Sequence, residues 1–309
     1  LLVNASDFTI ENLAIEDSKG DGLKVNEAEN ITIRNVRVEW TGGPKTGNGA
    51  YGLYPVKTRN VLIEDSLAIG ASDAGIYVGQ SRDVIVRNSR AEFNVAGIEI
   101  ENTVNADVYG NTATNNTGGI LVFNMPALSQ QGGAVRVFKN MVFKNNTGNF
   151  GAKGTPVASV PAGSGVVINS NDDVEIFDND IADHKTANII ISSVYSTGYK
   201  DDKAASEFDP YPERIHVHGN RLSGGGDSPD RLDFKALKVA MYGLNGRFPD
   251  VLFDGYVNPA RAQGPQICLR DVSGVLNADG PGGNKNPGKD ATPFACVLPN
   301  LPAIDLKRG

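Results

Sequence analysis

Apolar and polar residues alternate with period two over short runs, and the runs recur along the chain. Phe8-Thr9-Ile10-Glu11-Asn12, Ile31-Thr32-Ile33-Arg34-Asn35, Val61-Leu62-Ile63-Glu64-Asp65 and Val84-Ile85-Val86-Arg87-Asn88 superpose, with last residues 23, 30 and 23 apart. Later copies end Val108-Tyr109-Gly110-Asn111, Val137-Phe138-Lys139-Asn140, Ile176-Phe177-Asp178-Asn179 and Val217-His218-Gly219-Asn220, the Asn shifted by one place. A second strand recurs as Gly22-Leu23-Lys24-Val25, Gly75-Ile76-Tyr77-Val78, Gly97-Ile98-Glu99-Ile100, Gly119-Ile120-Leu121-Val122 and Gly165-Val166-Val167-Ile168. Gly52-Leu53-Tyr54, Asn188-Ile189-Ile190-Ile191 and Leu237-Lys238-Val239 read as further copies, and Val36-Arg37-Val38 exemplifies a weaker third strand.

Three short strands per 23 residues cannot bury a face alone. Stacked coils can, because each strand pairs with its equivalents above and below. Helical repeats of this length would show a 3.6-residue period, which these segments lack. The predicted fold is all-β: a parallel β-helix over residues 1–242, with about eight or nine coils spanning roughly 40 Å. Asn at the turn has a structural reason. Its side chain bonds turn backbone, tolerates left-handed φ, and can bond to the Asn of the next coil.

The pattern Gly-Ile-x-Val followed by Val-x-Ile-x-x-Asn resembles the right-handed parallel β-helix repeat of the pectin-lyase-like superfamily, from residue 5 to about 242. Asp17-Ser18-Lys19-Gly20-Asp21-Gly22-Leu23 and Ala71-Ser72-Asp73-Ala74-Gly75-Ile76-Tyr77-Val78 are similar to bacterial exported parallel β-helix repeat-containing proteins, a group without a settled activity. The resemblance implies the scaffold; it does not assign the chemistry.

Composition narrows the field. The chain has 309 residues with 36 Gly and 30 Asn, as turn-rich stacked strands require. A net charge of −7 argues against a nucleic-acid partner. No run of about 18 apolar residues spans a membrane. The chain opens mid-pattern at Leu1-Leu2-Val3-Asn4 without Met, as a mature or trimmed product would. The expected location is secreted, periplasmic or cell-surface. Cys268 and Cys296 would form a disulfide in an exported protein, closing a Gly/Pro-rich loop; in a cytosolic one they would be two thiols.

Insertions at about 41–50, 125–134, 148–164 and 195–212 interrupt the coils. They read either as a binding face or as surface decoration. Residues 243–309 lose the repeat, hold 8 of the 16 prolines, and read as a cap or side cover. No capping segment precedes the first coil, so either further residues or another chain would cover that edge.

Candidate chemistry follows from the alternation. The residue after the Ile or Leu of the Gly-Ile strand points outward, which aligns Lys24, Tyr54, Tyr77, and Glu99 with Glu101, then Leu121 with Phe123, Val167 with Asn169, and Ile190 with Ser192. Tyrosines beside glutamates form a sugar platform, with aromatic faces for the rings and carboxylates for the hydroxyls. Lys57 and Arg82 follow these strands and would neutralise a uronate. The apolar part of the column would be covered by the second to fourth insertions. His184-Lys185 is a candidate base and neutraliser for proton abstraction beside a carboxylate. His216 and His218 flank Val217, face one side, and are candidate metal ligands lacking an identified third. Asp201-Asp202 and Glu207/Asp209 could hold Ca²⁺, though without the spacing of a dedicated loop; otherwise no cofactor is expected. Asn171-Asp172-Asp173 resembles the paired aspartates of polygalacturonases without their glycine and histidine signatures, and the Asp-Pro-His-Asp mark of one alginate-epimerase branch is absent.

Three functions compete. The first is an envelope protein binding polysaccharide or a protein partner along its flank, possessing no required catalysis. The second is a polysaccharide lyase or C5-epimerase acting on uronate-containing glycans. The third is a structural protein stacking end to end; otherwise a monomer is expected.

Overall fold

The computed structural model describes residues 1–197, 207–261 and 266–307. In chain order the strands are β1 (Leu2–Val3), β2 (Phe8–Glu16), β3 (Leu23–Asn26), β4 (Glu29–Glu39), β5 (Tyr51–Val56), β6 (Arg59–Glu64) and β7 (Leu67–Ile69). They continue as β8 (Ala74–Gly79), β9 (Arg82–Arg87), β10 (Arg90–Glu92), β11 (Ala96–Glu101), β12 (Val104–Tyr109), β13 (Thr112–Thr114), β14 (Gly118–Phe123), β15 (Gly133–Phe138) and β16 (Met141–Phe143). Then come β17 (Ser164–Asn169), β18 (Asp172–Phe177), β19 (Asp180–Ala182), β20 (Ala187–Ser192), β21 (Ile215–His218), β22 (Arg221–Ser223), β23 (Val251–Phe253), β24 (Ile267–Leu269) and β25 (Val275–Asn277). Among the described residues, every pairing between these strands is parallel. One sheet runs β1-β3-β5-β8-β11-β14-β17-β20-β23-β25. A second, 15-stranded sheet holds the other two sides of the coil, joined where β2 and β4 turn a corner unbroken. The predicted three strands per coil are these three rows.

Inward positions stack like on like. Leu53 lies on Ile76, Ile76 on Ile98, Ile98 on Ile120, and Ile120 on Val166, all fully buried. Such columns are continuous along the axis, so each coil buries its apolar face only against its neighbours.

The one-place shift of Asn resolves into two separate jobs. Asn12, Asn35, Asp65 and Asn88 occupy the left-handed region at φ 56, 49, 51 and 51°, and Gly110, Lys139, Asp178 and Gly219 hold the same place in later coils. The next residue points inward and builds a ladder. Asn111 N–H donates to Asn140 Oδ1 (3.0 Å), Asn140 N–H to Asn179 Oδ1 (3.0 Å) and Asn179 N–H to Asn220 Oδ1 (3.0 Å). Ser66 and Ser89 fill this rung in earlier coils, each accepting a backbone N–H with its hydroxyl. A second ladder, Asn94-Asn116-Asn145, occupies another corner. It explains the strand-opening glycine: a Cβ at Gly97 would lie 2.5 Å from Gly119 O and 2.8 Å from Asn116 Nδ2.

Two expectations are corrected. Leu237-Lys238-Val239 is not a strand but part of helix α1 (Leu232–Tyr242). Phe234, Leu237 and Met241 lie at helical spacing and pack on the outer face of the ten-stranded sheet. The stack also does not stop at 242. β23 pairs with β20, β24 with β21, and β25 with β23, because Val251, Ile267 and Val275 continue the inward columns.

Beyond β25 the chain returns along the outside. Cys296 is bonded to Cys268 of β24. The Leu301 N–H donates to Glu175 Oε2 (2.9 Å), the Ile304 N–H to Asp107 Oδ2 (3.3 Å), and Lys307 O accepts from Asn60 (2.5 Å). Residues 297–307 thus form a strap running back over β18, β12 and β6.

Candidate functional site

The outward column of the ten-stranded sheet divides in two. Over the later coils its apolar residues support a second hydrophobic layer. Leu121, Phe123, Val167 and Ile190 are buried there against Met125, Val157, Val160, Val194 and Phe248. The insertions supply Met125, Val157 and Val160, Val194 lies just before the fourth, and α1, which the strand pattern did not reveal, lies on the same layer. Phe123, only 3% exposed, is therefore packing rather than a ligand platform.

Over the earlier coils the same face is aromatic and acidic. Lys24 on β3, Tyr51 and Tyr54 on β5, Tyr77 on β8, and Glu99 with Glu101 on β11 follow one another up the sheet. The three tyrosine rings cluster: centroids lie 4.4 Å apart for Tyr51–Tyr54, 4.5 Å for Tyr51–Tyr77, and 5.0 Å, edge to face, for Tyr54–Tyr77. The Lys24 ammonium sits 4.6 Å from the Tyr54 centroid. Gly79 makes the Tyr77 pose possible. A Cβ there would meet the Tyr77 ring 2.4–2.5 Å away, so the ring lies over the glycine. Because Gly79 and Glu101 are neighbours across the strands, the Tyr77 hydroxyl reaches and donates to Glu101 Oε2.

The carboxyl groups are held toward their neutral forms. Burial, reinforced by Asp73 and Glu101, pushes Glu99 well above the usual carboxylate range. Burial raises Glu101, against the Tyr77 hydrogen bond. Asp73, in the turn before β8, is pushed up to about 7 by burial and by Glu101, while a hydrogen bond with Tyr51 opposes the rise. Burial raises all three tyrosines as well, so they are neutral at pH 7 and could not serve as phenolate bases without a large cost. Glu99 Oε2 is buried without a hydrogen-bond partner among the described residues.

Sequence reasoning therefore located Lys24, Tyr54, Tyr77, Glu99 and Glu101 on one face and missed Tyr51 and Asp73. A signal existed: Asp21-Gly22 and Asp73-Ala74-Gly75 each precede the repeat strand, and Tyr51 opens one. The remaining candidates separate from this patch. Lys57 pairs with Glu27 (3.4 Å) in the turn beyond β5, and Arg82 opens β9 on the adjacent sheet, so neither is held on the tyrosines. The His184-Lys185 pairing is corrected. His184 is fully buried, Nε2 lies 3.0 Å from Asn145 Nδ2 and Nδ1 3.0 Å from Asn188 Oδ1, and burial lowers its pKa to about 4. The ring is the last rung of the Asn94-Asn116-Asn145 ladder, and Lys185 is exposed beside it.

On the 15-stranded sheet, His216 and His218 do face outward together, with ring centroids 4.2 Å apart. Glu175, the neighbour of His216 on β18, joins them, and Oε1 lies 2.9 Å from His218 Nε2. Burial, with His218 nearby, lowers the His216 pKa below the ordinary imidazole value. Glu175 was also missed, although superposing Val174-Glu175-Ile176 on Ile215-His216-Val217 sets the two side by side. Asp172 and Asp173 do not point apart as alternation implies. Asp173 takes φ 53°, and Arg214 reaches both, at 2.6 Å to Asp173 and 3.4 Å to Asp172. Asp209 and Glu213 lie close to Asp172, but Glu213 is already paired with Arg214 and Arg261. Asp201-Asp202 lie outside the described residues.

Among known proteins, the family described as right handed beta helix region matches residues 1–128. No curated protein sequence matches the chain. A mutant of the periplasmic alginate epimerase AlgG is 12% identical, with TM-score 0.49, over 70% of this chain and 48% of that one. The A-module of the mannuronan C-5 epimerase AlgE6 of Azotobacter vinelandii is 19% identical, with TM-score 0.47, over 81% and 65%. The family 28 exopolygalacturonase of Yersinia enterocolitica is 14% identical, with TM-score 0.40, over 79% and 36%. The chain thus matches less than two thirds of the length of each of these structures. The parallel three-row stack, with the match to the right handed beta helix region over residues 1–128, makes the chain a right-handed parallel β-helix.

Proposed function

We propose that this protein binds a polysaccharide along the outer face of its ten-stranded sheet. The observation that carries this reading is the three-tyrosine cluster bordered by carboxyl groups on four successive coils. Tyr51 and Tyr54 remain partly exposed, and the buried Tyr77 backs them. Carboxyl groups held toward their neutral forms can both donate to and accept from hydroxyls. The surroundings favour a neutral glycan over a uronan. A uronate carboxylate would meet Asp21, Asp73 and Glu101, with Lys24 as the cation resting on the patch among the described residues. Export to the periplasm, cell surface or medium fits the Cys268–Cys296 disulfide, which persists in oxidising compartments. Among the described residues no helix is long and apolar enough to cross a membrane.

Affinity electrophoresis through gels containing neutral or uronate polysaccharides tests the reading. A double Tyr51→Ala, Tyr54→Ala variant should weaken retention about tenfold, each ring contributing about 0.5–1.5 kcal/mol beyond its buried area. Unchanged retention, or stronger retention of the native chain by uronans than by neutral glycans, would sink it.

One observation supports a second reading, cleavage of a glycosidic bond. Burial pushes Glu99 well above the usual carboxylate range and leaves one oxygen unpartnered among the described residues, while Asp73 is pushed up to about 7. A carboxylic acid with a raised pKa beside a second carboxyl group is the pattern of a glycosidic acid and its partner. Release of reducing ends, abolished by Glu99→Gln, would establish it; no release across a panel of bound glycans would remove it. The lyase or epimerase alternative has less support, since burial moves the three tyrosines away from service as phenolate bases.

A further inference from the structure

We propose that Glu175, His216 and His218 form a site for one divalent transition-metal ion of the zinc class, on the 15-stranded sheet beneath the C-terminal strap. Parallel stacking builds the set. Residues two apart on a strand face the same side, so His216 and His218 both leave β21 outward, and lateral pairing puts Glu175 against His216. One ligand atom from each residue lies within 4.8 Å of the others, a spread that a tetrahedral ion with bonds of about 2.0–2.2 Å can draw together.

The second observation is independent of that grouping. His216 is 3% exposed, and neither of its ring nitrogens has a hydrogen-bond partner among the described residues. A buried imidazole without a partner is destabilising, so an unexplained polar group faces this cluster. A metal would supply the missing partner. Glu175 is already oriented: the Leu301 N–H from the strap holds Oε2 at 2.9 Å, leaving Oε1 facing the histidines. Outer contacts of this kind fix ligands in metal sites. Two imidazoles and one carboxylate suit zinc and its neighbours rather than Ca²⁺, which takes six to eight oxygens. His218 is partly exposed, so the fourth position opens toward solvent. Ion binding would also tie β18 and β21 to the strap beside the disulfide, joining the sheet and its cover at two points.

The test uses the untagged full chain, stripped with a chelator and then titrated with Zn²⁺ by calorimetry and with Co²⁺ by visible absorption. Expected are one ion per chain, cobalt bands typical of a four- or five-coordinate nitrogen–oxygen site, and a Tm that rises with added Zn²⁺. His216→Ala and His218→Gln should each weaken Zn²⁺ binding at least about tenfold. Replacing the buried His216 could unfold its coil, so the partly exposed His218→Gln, checked for native circular dichroism, is the deciding variant. No Zn²⁺ uptake, Ca²⁺ bound in preference to Zn²⁺, or Zn²⁺ binding unchanged in folded His218→Gln overturns the proposal.

Discussion

Replacing Asn140 by Ala probes the principal ladder directly. Its side chain makes four buried hydrogen bonds. Oδ1 accepts from the Asn111 N–H and from Asn111 Nδ2, both at 3.0 Å, while Nδ2 donates to Val108 O and to Asn179 Oδ1, both at 2.9 Å. At 1% exposure, water cannot replace them. A buried hydrogen bond contributes about 1 kcal/mol net, and the Asn111 N–H would be orphaned at a cost of about 1–3 kcal/mol. The bonds are not independent, so the expected loss is about 3–5 kcal/mol, a large share of the roughly 5–15 kcal/mol of a typical domain. Asn140→Ser is the control. Ser89 fills the equivalent rung and accepts the Ser66 N–H at 3.1 Å with its hydroxyl. Serine at 140 should therefore keep the Asn111 N–H paired and cost about half as much as alanine. Urea unfolding followed by far-ultraviolet circular dichroism measures both, with the m-value checked because stacked repeats can unfold in parts. An alanine loss under about 1 kcal/mol, or serine and alanine losses that coincide, would refute the ladder reasoning.

Gly97→Ala should destabilise by about 2 kcal/mol or more, since its methyl group meets a carbonyl at 2.5 Å and the ladder amide at 2.8 Å; a neutral effect in the same denaturation assay would contradict that crowding. His184 is neutral when folded and protonates more readily when unfolded, so its contribution to stability should be lost as pH falls from about 6.5 toward 4; His184→Asn should flatten that part of the stability–pH curve, and an unchanged curve counts against it. Asp73 runs the opposite way: its raised pKa means the unfolded chain gives up the proton first, so stability falls as pH rises from about 4 through about 7. Asp73→Asn should therefore gain at least about 1 kcal/mol relative to the native chain at pH 8 but not at pH 4. Cutting the Cys268–Cys296 bond, whose residues are 28 apart, should cost about 3–4 kcal/mol and expose residues 297–307 to proteolysis; a strap equally protected under reduction would show that its hydrogen bonds suffice.

The stacking itself was legible in the sequence. Period-two alternation and a 23-residue repeat leave no other way to bury the apolar faces, and the same register correctly aligned Lys24, Tyr54, Tyr77 and Glu99. Local pattern also contained more than was drawn from it: Phe234, Leu237 and Met241 carried a helical period, and Glu175 stood one coil before His216. Burial was a different matter. Phe123 alternates outward just as Lys24 does, yet residues of the insertions at 125–134 and 148–164 cover that part of the face. His184 reads as a titratable turn residue, yet it replaces asparagine as a ladder rung. Which outward positions stay open, which carboxyl groups lose their charge, and where the strap crosses the sheet depend on loops and a tail that have no repeat. Alternation states only which side of a strand a residue occupies; what lies on that side is set by contacts between segments far apart in the chain, and those exist only once it is folded.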